Sequence, residues 1–294
     1  MKKVLFVINT LGGAGAEKAL LELLKRFPEN EYEVLLYVLL AQGELIHQVP
    51  KQVKILNQSY SDASVLSKKG KHILNRQIFK RLFVRGAIFK NLGYMLKNMA
   101  EMLKKGKLYP DKLLWRVMAD SAQVIDGHYD MAVAFLEGGS TYYIHDHIRA
   151  DRKVTFLHVD YSYAGYSRSL DRDCYLNFDR VFTVSDEVKK SFLEVYPECR
   201  SYTGVFHNLL DNEEIIRKSI SHILMILKLI ELFKLCFILR LYRTAVCNHF
   251  NFISKSKCQH NLYIISSVYQ CLLRTLLKRI WNKLSRIVIY FYCY

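Results

Sequence analysis

The beginning of the chain joins two apolar runs through a glycine loop and one amphipathic segment. Residues 3–9 (KVLFVIN) are continuously apolar and of strand length, which is typical of a parallel strand buried on both faces. A glycine loop at 12–15 follows, and residues 16–27 then carry apolar side chains at helical spacing. Residues 32–40 form a second apolar run. This order predicts strand, loop, helix and strand, the opening of a doubly wound parallel sheet.

The same pattern returns later in the chain. Residues 186–196 have helical spacing, and further short apolar runs predict strands at 53–56, 131–135, 153–158, 180–184 and 202–207. Alternating strands and helices of this kind indicate the α/β class. We therefore predict a Rossmann-like parallel sheet within residues 1–219.

A long basic insertion at residues 60–126 interrupts the strand pattern. It holds 14 Lys and Arg against 5 Asp and Glu. Its apolar residues recur at helical spacing: Ile88, Leu92, Met95, Leu96, Met99, Met102 and Leu103. Of these, we expect Ile88, Leu92, Met95, Met99 and Met102 to lie near one face. Two interpretations stay open. The segment is either a set of helices packed on the sheet with a solvated basic face, or a basic amphipathic surface that meets anionic lipid head groups.

The composition changes abruptly near residue 220. All 13 glycines and all 4 prolines lie at or before Gly204, and residues 221–294 hold 11 Lys and Arg with Glu231 as the one acidic residue. A folded domain needs turn residues, and of the strongest turn formers only asparagine remains there. We interpret 220–294 as an aberrant tail, helical or disordered, that arises from out-of-frame translation and replaces a second domain. A genuine helical cap and a membrane-spanning segment are the alternatives.

Cysteine spacing and the N-terminus exclude several classes. The seven cysteines contain no Cys-x-x-Cys pair, and the spacing of Cys247, His249, Cys258 and His260 fits no common zinc pattern. The N-terminal apolar run is too short for a secretory signal. We therefore expect a cytoplasmic protein with reduced thiols, without a metal and without a cofactor.

Glycines and polar residues follow the predicted strands at the carboxyl edge of the sheet, where open α/β sheets bind ligands. Gly12, Gly13 and Gly15 stand at a predicted helix N-terminus, whose backbone N–H groups attract anions. The loop lacks the third glycine of a dinucleotide fingerprint, because Lys18 occupies that position, and it lacks the Gly-Lys-Ser/Thr of a P-loop. Taken alone, it is equally well a tight turn without a ligand.

The later strands provide further candidates. Glu137 and two glycines follow the fourth strand, and a carboxylate there is suited to a sugar hydroxyl. His158 and Asp160 leave the fifth strand at the same edge, and Ser185 follows the sixth in the position of a helix cap. Each of these residues also has a structural interpretation, as a solvated carboxylate, a satisfied histidine or a cap.

Four segments in this order resemble the N-terminal domain of glycosyltransferase family 4, the retaining nucleotide-sugar enzymes with the two-domain GT-B fold. The segments are VLFVINTLGGAGAEKAL (4–20), FLHVDY (156–161), FDRVFTVSDEVKKSF (178–192) and HNLLDNEEI (207–215). The resemblance covers about residues 1–219. It implies a hexosyltransferase that moves a hexose from a nucleotide sugar to a saccharide acceptor, lipid-linked in many members from bacterial polysaccharide synthesis.

The resemblance also implies roles for single residues. His158 matches the histidine that contacts the transferred sugar in relatives, which is the catalytic assignment. The positions assigned to substrate binding are Gly12, Gly13 and Gly15 at the donor diphosphate and acceptor, Ser185 in the Val-Ser element, and Glu137 and Asp160 on the acceptor side.

The sequence departs from the family after residue 219. The family's second domain opens with a glycine-rich loop carrying Arg and Lys, and later has a pair of glutamates that hold the donor; neither pattern occurs here. We therefore expect a truncated transferase with an incomplete donor site, inactive alone, cytoplasmic or peripheral on the inner face of the plasma membrane. The alternative is a non-catalytic module that binds an acceptor or a membrane and works with a separate donor-binding chain. A nucleic-acid partner is disfavoured, since the basic residues of the fold cluster in an insertion without a recognised motif.

Overall fold

The structure is a computed structural model that describes residues 1–209 and the isolated positions 216, 220, 224–226, 228 and 231. The chain divides into two units, Met1–Leu210 and Asp211–Tyr294. The elements given below all belong to the first unit. The expectations for the tail, including its cysteine and histidine pairs, lie outside the described residues.

A single parallel sheet forms the centre of the first unit. Its strands are β1 (Lys2–Ile8), β2 (Tyr32–Val38), β3 (Lys54–Ile55), β4 (His128–Ala134), β5 (Arg149–Leu157), β6 (Arg180–Thr183) and β7 (Thr203–Val205). They pair in the order β3-β2-β1-β4-β5-β6-β7, and every pairing is parallel. The chain thus starts at an inner strand, proceeds to one edge and returns to build the other side, which is the doubly wound arrangement. The predicted α/β class and Rossmann-like parallel sheet are confirmed.

Helices connect the strands and cover both faces of the sheet. They are α1 (Gly15–Leu24), α2 (Lys68–Phe83), α3 (Ala87–Lys90), α4 (Leu92–Lys104), α5 (Pro110–Asp120), α6 (Gly139–His147), α7 (Arg168–Asp171) and α8 (Asp186–Val195). Short 3-10 helices lie at Glu44–Gln48, Val84–Gly86, Cys174–Asn177 and Pro197–Tyr202. Within the described residues, none of the helices is long and apolar enough to cross a membrane.

The continuous apolar run of β1 reflects burial on both faces of the sheet. Phe6 belongs to the core on one face together with Leu20 of α1. Its neighbour Leu5 belongs to the core on the other face together with Val117 of α5 and Tyr142 of α6. Because successive side chains of a strand point to opposite faces, a strand between two helical layers needs apolar residues at every position.

The insertion folds as α2 to α5 and is anchored through a buried arginine. The Arg116 side chain is 2% exposed, and its Nη1 lies 2.5 Å from Asp146 Oδ2. Its Nη2 donates to the carbonyl oxygen of Asp171 at 2.9 Å, and the guanidinium carbon lies 4.2 Å from the centre of the Tyr142 ring. A buried charge needs partners of this kind, and here they join α5 to α6 and α7.

The apolar residues of α4 divide between a part that packs on the domain and a part that is exposed. Met102 is buried and Met95 is half-buried against the domain. Four other apolar residues of α4 are 37–60% exposed: Leu92, Leu96, Met99 and Leu103. The spacing of these four places them along one stripe of the helix, while Met95 and Met102 belong to the stripe that faces the core.

Backbone packing around Gly43 joins the segments that follow β1, β2 and β3. Gly43 has φ +145°, and a Cβ atom there would lie 2.1 Å from the carbonyl group of Leu11, so that no other residue fits. The Gly43 N–H donates to the Ser61 carbonyl at 2.9 Å, and the Tyr60 hydroxyl donates to the Gly43 carbonyl at 3.1 Å. The Leu11 N–H donates to the Gln42 carbonyl at 2.9 Å. These contacts position the glycine loop at the carboxyl edge.

Candidate functional site

Polar residues that follow β1, β4 and β5 meet at the carboxyl edge of the sheet. β1 pairs with β2 on one side and with β4 on the other. After β1 the chain builds the sheet outward through β2 and β3, and from β4 it builds outward in the opposite direction through β5, β6 and β7. Such a reversal opens a crevice between the loops at the carboxyl ends of the two strands, and open α/β sheets bind ligands there.

The Asn9 side chain joins the loop after β1 to the loop after β4. It is 7% exposed, its Nδ2 donates to the Glu137 carbonyl oxygen at 3.2 Å, and its Oδ1 accepts from the Ser140 N–H at 2.7 Å. Ser140 lies inside α6 and does not cap the helix. Its hydroxyl donates back to the Leu136 carbonyl at 2.6 Å, and the residue before the helix is Gly138.

The Glu137 side chain extends the same connection to the loop after β5. Its Oε2 accepts a hydrogen bond from the backbone N–H of His158 at 2.9 Å. Glu137 is 6% exposed, and this burial raises the pKa of its carboxyl group, while the hydrogen bond from His158 and the nearby charge of Lys112 act in the opposite direction. The structure therefore brings together two of the predicted residues, Glu137 and His158, and fixes them to one another.

The His158 imidazole presents an unpaired nitrogen in this environment. Its Nε2 is buried and has no hydrogen-bond partner among the described residues, whereas the ring's other nitrogen bonds to the Phe135 backbone. Burial lowers the pKa of His158 to about 4, so that the ring is neutral at physiological pH. With the proton on Nδ1, the Nε2 lone pair is a hydrogen-bond acceptor without a donor.

Three residues of the site, Lys112, Trp115 and Tyr166, were not predicted from the sequence. Lys112 and Trp115 belong to the insertion, and Tyr166 lies in the loop after β5. Gly138 has φ +78°, and a Cβ atom there would lie 2.9 Å from Tyr166 Oη and 3.1 Å from Trp115 Cδ1. Lys112 Nζ lies 4.5 Å above the Tyr166 ring, close enough for a cation–π contact. These side chains enclose the turn after Glu137, so the insertion contributes directly to the site.

The glycine loop faces carboxylates. A Cβ atom on Gly13 would lie 3.2 Å from Glu44 Oε1, and one on Gly12 would lie 2.5 Å from Val65 Cγ2. Glu44 Oε1 accepts from the Ser64 hydroxyl at 2.8 Å, while Oε2 is buried without a partner in the described part of the chain. The third predicted glycine, Gly15, begins α1 in open space. A side chain at Gly12 would therefore clash with Val65, whereas one at Gly13 would need the Glu44 carboxylate to shift by a few tenths of an ångström.

A second carboxylate stands in the first turn of α1. Glu17 is buried, its Oε1 accepts from the Thr10 hydroxyl at 3.3 Å, and burial raises the pKa of its carboxyl group. An acidic side chain in the first turn is favourable beside the exposed backbone N–H groups of a helix. Glu17 and Glu44 together make the surroundings of the glycine loop acidic. They therefore disfavour the binding of an anionic ligand there.

The other two predicted residues have structural partners. The Ser185 hydroxyl accepts from the Val188 N–H at 3.3 Å at the start of α8, so its interpretation as a helix cap is confirmed. Asp160 is exposed, and its Oδ1 accepts from the Tyr163 N–H at 2.8 Å and from the Ser191 hydroxyl at 2.7 Å. These hydrogen bonds hold the pKa of Asp160 below its usual range. The substrate roles of both residues stay predictions.

One group of side chains in the described residues has the spacing of metal ligands, namely Asp120, Asp146 and His147. Both oxygens of Asp120 already have partners, His147 Nε2 at 2.9 Å and Asn91 Nδ2 at 2.6 Å. Asp146 is paired with the Arg116 guanidinium, whose positive charge opposes a cation. The group also lies at the end of α6 that points away from the carboxyl edge.

No protein-family model matches this chain, and no curated protein sequence matches it. Its function must therefore be inferred from the carboxyl edge itself. The informative features of this edge include buried acceptor atoms that have no donor among the described residues, His158 Nε2 and Glu44 Oε2 among them.

Replacing Glu137 with glutamine should change how stability depends on pH. The pKa of Glu137 is raised in the folded protein, so its stabilising effect is complete below the ordinary pKa of 4.5 and is lost as the pH rises through the raised value. Glutamine keeps an acceptor for the His158 N–H without the buried charge. We expect the stability of Glu137→Gln relative to the unmodified protein to increase from about pH 4 to about pH 8 in urea unfolding.

The matched control is Glu194→Gln, which removes an exposed carboxylate from α8. This variant should follow the pH profile of the unmodified protein. A parallel profile for Glu137→Gln as well would contradict the assignment of Glu137 as a buried, destabilised carboxylate.

Proposed function

We propose that the first unit is the acceptor-side half of a GT-B glycosyltransferase of family 4. In this proposal the complete enzyme transfers a hexose from a nucleotide sugar to a hydroxyl group of a saccharide acceptor, lipid-linked in bacterial polysaccharide synthesis. The doubly wound sheet and the position of the polar residues at the strand reversal support the proposal. The donor-binding half is supplied by a second domain or a partner chain.

The observation that carries the proposal is the unpaired Nε2 of a neutral His158 held beside Glu137. A sugar offers hydroxyl groups that both donate and accept hydrogen bonds. A neutral imidazole acceptor and a carboxylate suit such groups, and burial strengthens each hydrogen bond that a ligand completes. Leaving a buried acceptor unpaired has a free-energy cost, which binding of a hydroxyl donor would remove.

The carboxylates near the glycine loop indicate which part of the substrates each half of the enzyme binds. Glu44 and Glu17 would repel a diphosphate placed against Gly13, whereas the free Glu44 Oε2 can accept from a sugar hydroxyl. We therefore place saccharide, not diphosphate, against this loop. In the complete enzyme the bond from the anomeric carbon to the diphosphate breaks, the bond to the acceptor oxygen forms, and the proton of the acceptor hydroxyl passes to the departing diphosphate. The charge that develops on the leaving diphosphate then requires cations from the donor half.

Saccharide binding should be visible through Trp115, which packs against the turn after Glu137. In a Trp281→Phe background Trp115 is the single tryptophan. We expect the fluorescence of this protein to change saturably with at least one of a panel of methyl hexosides, with a Kd on the order of 1 mM. We expect no transfer from a nucleotide sugar to accompany binding, because the donor-side pattern of the family does not occur after residue 219.

Variants at the site separate specific binding from general effects. His158→Phe removes the acceptor nitrogen and should weaken binding about tenfold, the effect of roughly one lost hydrogen bond. His128→Gln, on an exposed strand end, is the control and should bind as the parent does. A panel without any saturable response, or equal binding by His158→Phe, would refute the saccharide site.

The exposed stripe of α4 supports a second candidate function, a module that attaches to an anionic membrane surface. Leu92, Leu96, Met99 and Leu103 form the stripe, and further exposed apolar side chains of the insertion are Phe79, Phe83 and Phe89. Exposed lysines accompany the stripe at 97, 104 and 105. Apolar side chains flanked by lysines match the composition of helices that lie in a lipid interface.

Charge reversal on α4 should weaken vesicle binding. We expect the full chain to float with vesicles of phosphatidylcholine and phosphatidylglycerol at low salt, and less at high salt. Changing Lys97, Lys104 and Lys105 to Glu should lower the partition coefficient at least tenfold, because each lysine near an anionic surface contributes about 1 kcal/mol.

The control reverses three exposed lysines elsewhere, Lys51, Lys54 and Lys190, and so has the same net charge. It should retain most of the binding. An equal loss of vesicle binding in both triple variants would contradict a specific role for the α4 surface. It would show that the net charge of the chain, including that of the tail, causes the attraction.

A further inference from the structure

A cavity lies beyond the carboxyl ends of β2 and β3, against α2. Its volume is about 300 Å³, at the lower end of the range for small-molecule sites. The lining residues are Ala41, Ser59, Tyr60, Ser61, Gln77, Lys80 and Arg81. None of the residues assigned to the saccharide site lines it, so it is a separate feature of the carboxyl edge.

The lining offers hydrogen-bond donors and positive charge. Two of its side chains are cationic, none is a carboxylate, and the others include hydroxyl groups and the Gln77 amide. Acidic groups act on Tyr60 in the lining: burial, together with the charges of Glu44 and Asp62, raises the pKa of that phenol. The positive wall is therefore the α2 side of the cavity.

The two cations differ in how they are held. The Arg81 guanidinium is half-buried, with Nη1 donating to the Leu39 carbonyl, and it also bonds to the Tyr37 hydroxyl. These partners fix its planar group and leave further N–H donors, an arrangement suited to phosphate oxygens. Lys80 is exposed and has no ion pair within the described residues.

We propose that this cavity binds a phosphate group, of a soluble phosphate ester or of a phospholipid head group, through Arg81 and Lys80. Arg81 supplies fixed, directional donors and Lys80 a mobile charge, while Gln77 and the Ser59 and Ser61 hydroxyls complete the donor set. The site is independent of the proposed saccharide site and is tested separately. Phe79 and Phe83 of the same helix are exposed and could contact a lipid surface. A phospholipid head group is therefore as reasonable a source of the phosphate as a soluble ester.

Calorimetric titration of the full chain with inorganic pyrophosphate tests the proposal. Lys80→Gln removes the mobile charge from an exposed position, and Gln77→Glu places a carboxylate in the lining with little change of size. Each should weaken pyrophosphate binding at least fivefold. Lys71→Gln is the control, because Lys71 lies about two and a half helical turns before Lys80 and so on the opposite side of α2.

The same variants distinguish the two sources of phosphate. Vesicles of phosphatidylcholine containing phosphatidic acid display a phosphate monoester. Weaker flotation of Lys80→Gln and Gln77→Glu than of Lys71→Gln identifies a lipid head group, and equal flotation with weaker pyrophosphate binding identifies a soluble ester. No saturable pyrophosphate binding by the full chain, or the same weakening in all three variants, would overturn the proposal.

Discussion

Hydrogen bonds from buried side chains to loop backbones hold the carboxyl edge of this sheet in one arrangement. Backbone groups beyond a strand end lose their sheet partners and need new ones if they are buried. Asn9 supplies both a donor and an acceptor to the loop after β4, and Glu137 supplies an acceptor to the loop after β5. These three hydrogen bonds fix the three loops relative to one another. The position of His158 is fixed as a result. The unpaired Nε2 of His158 is consequently a result of how these loops are held.

The same edge is electrically divided. Glu17, Glu44 and Glu137 lie around the loops of β1 and β4, whereas Lys80 and Arg81 lie beyond β2 and β3. Buried carboxylates attract hydroxyl donors and repel anions, and fixed guanidinium groups do the reverse. A ligand that carries both sugar and phosphate would meet complementary surfaces on the two sides. This division connects the proposed saccharide site with the proposed phosphate site, although each is tested separately.

The sequence predicts the sheet well because both of its faces are buried. Continuous apolar runs of strand length, such as that of β1, are typical of strands between two helical layers, and the residues that follow them, including Glu137 and His158, must lie at one edge. The contribution of Trp115 and Tyr166 was not predictable in this way, since it depends on how the insertion docks. For a related reason the sequence does not show which part of α4 is exposed. Apolar spacing identifies a helix, but it does not say which of two apolar stripes meets the core.

Nitrogen-detected NMR of the full chain labelled with ¹⁵N-histidine tests the central claim most directly, that His158 is a neutral, buried acceptor available to a ligand. We predict that the His158 ring titrates with a pKa of about 4, carries its proton on Nδ1 near neutral pH, and shows a shift of the Nε2 resonance when a bound saccharide donates to it. A His158 ring that titrates near the ordinary histidine value of about 6.5, with an Nε2 resonance unmoved by any saccharide, would contradict this claim.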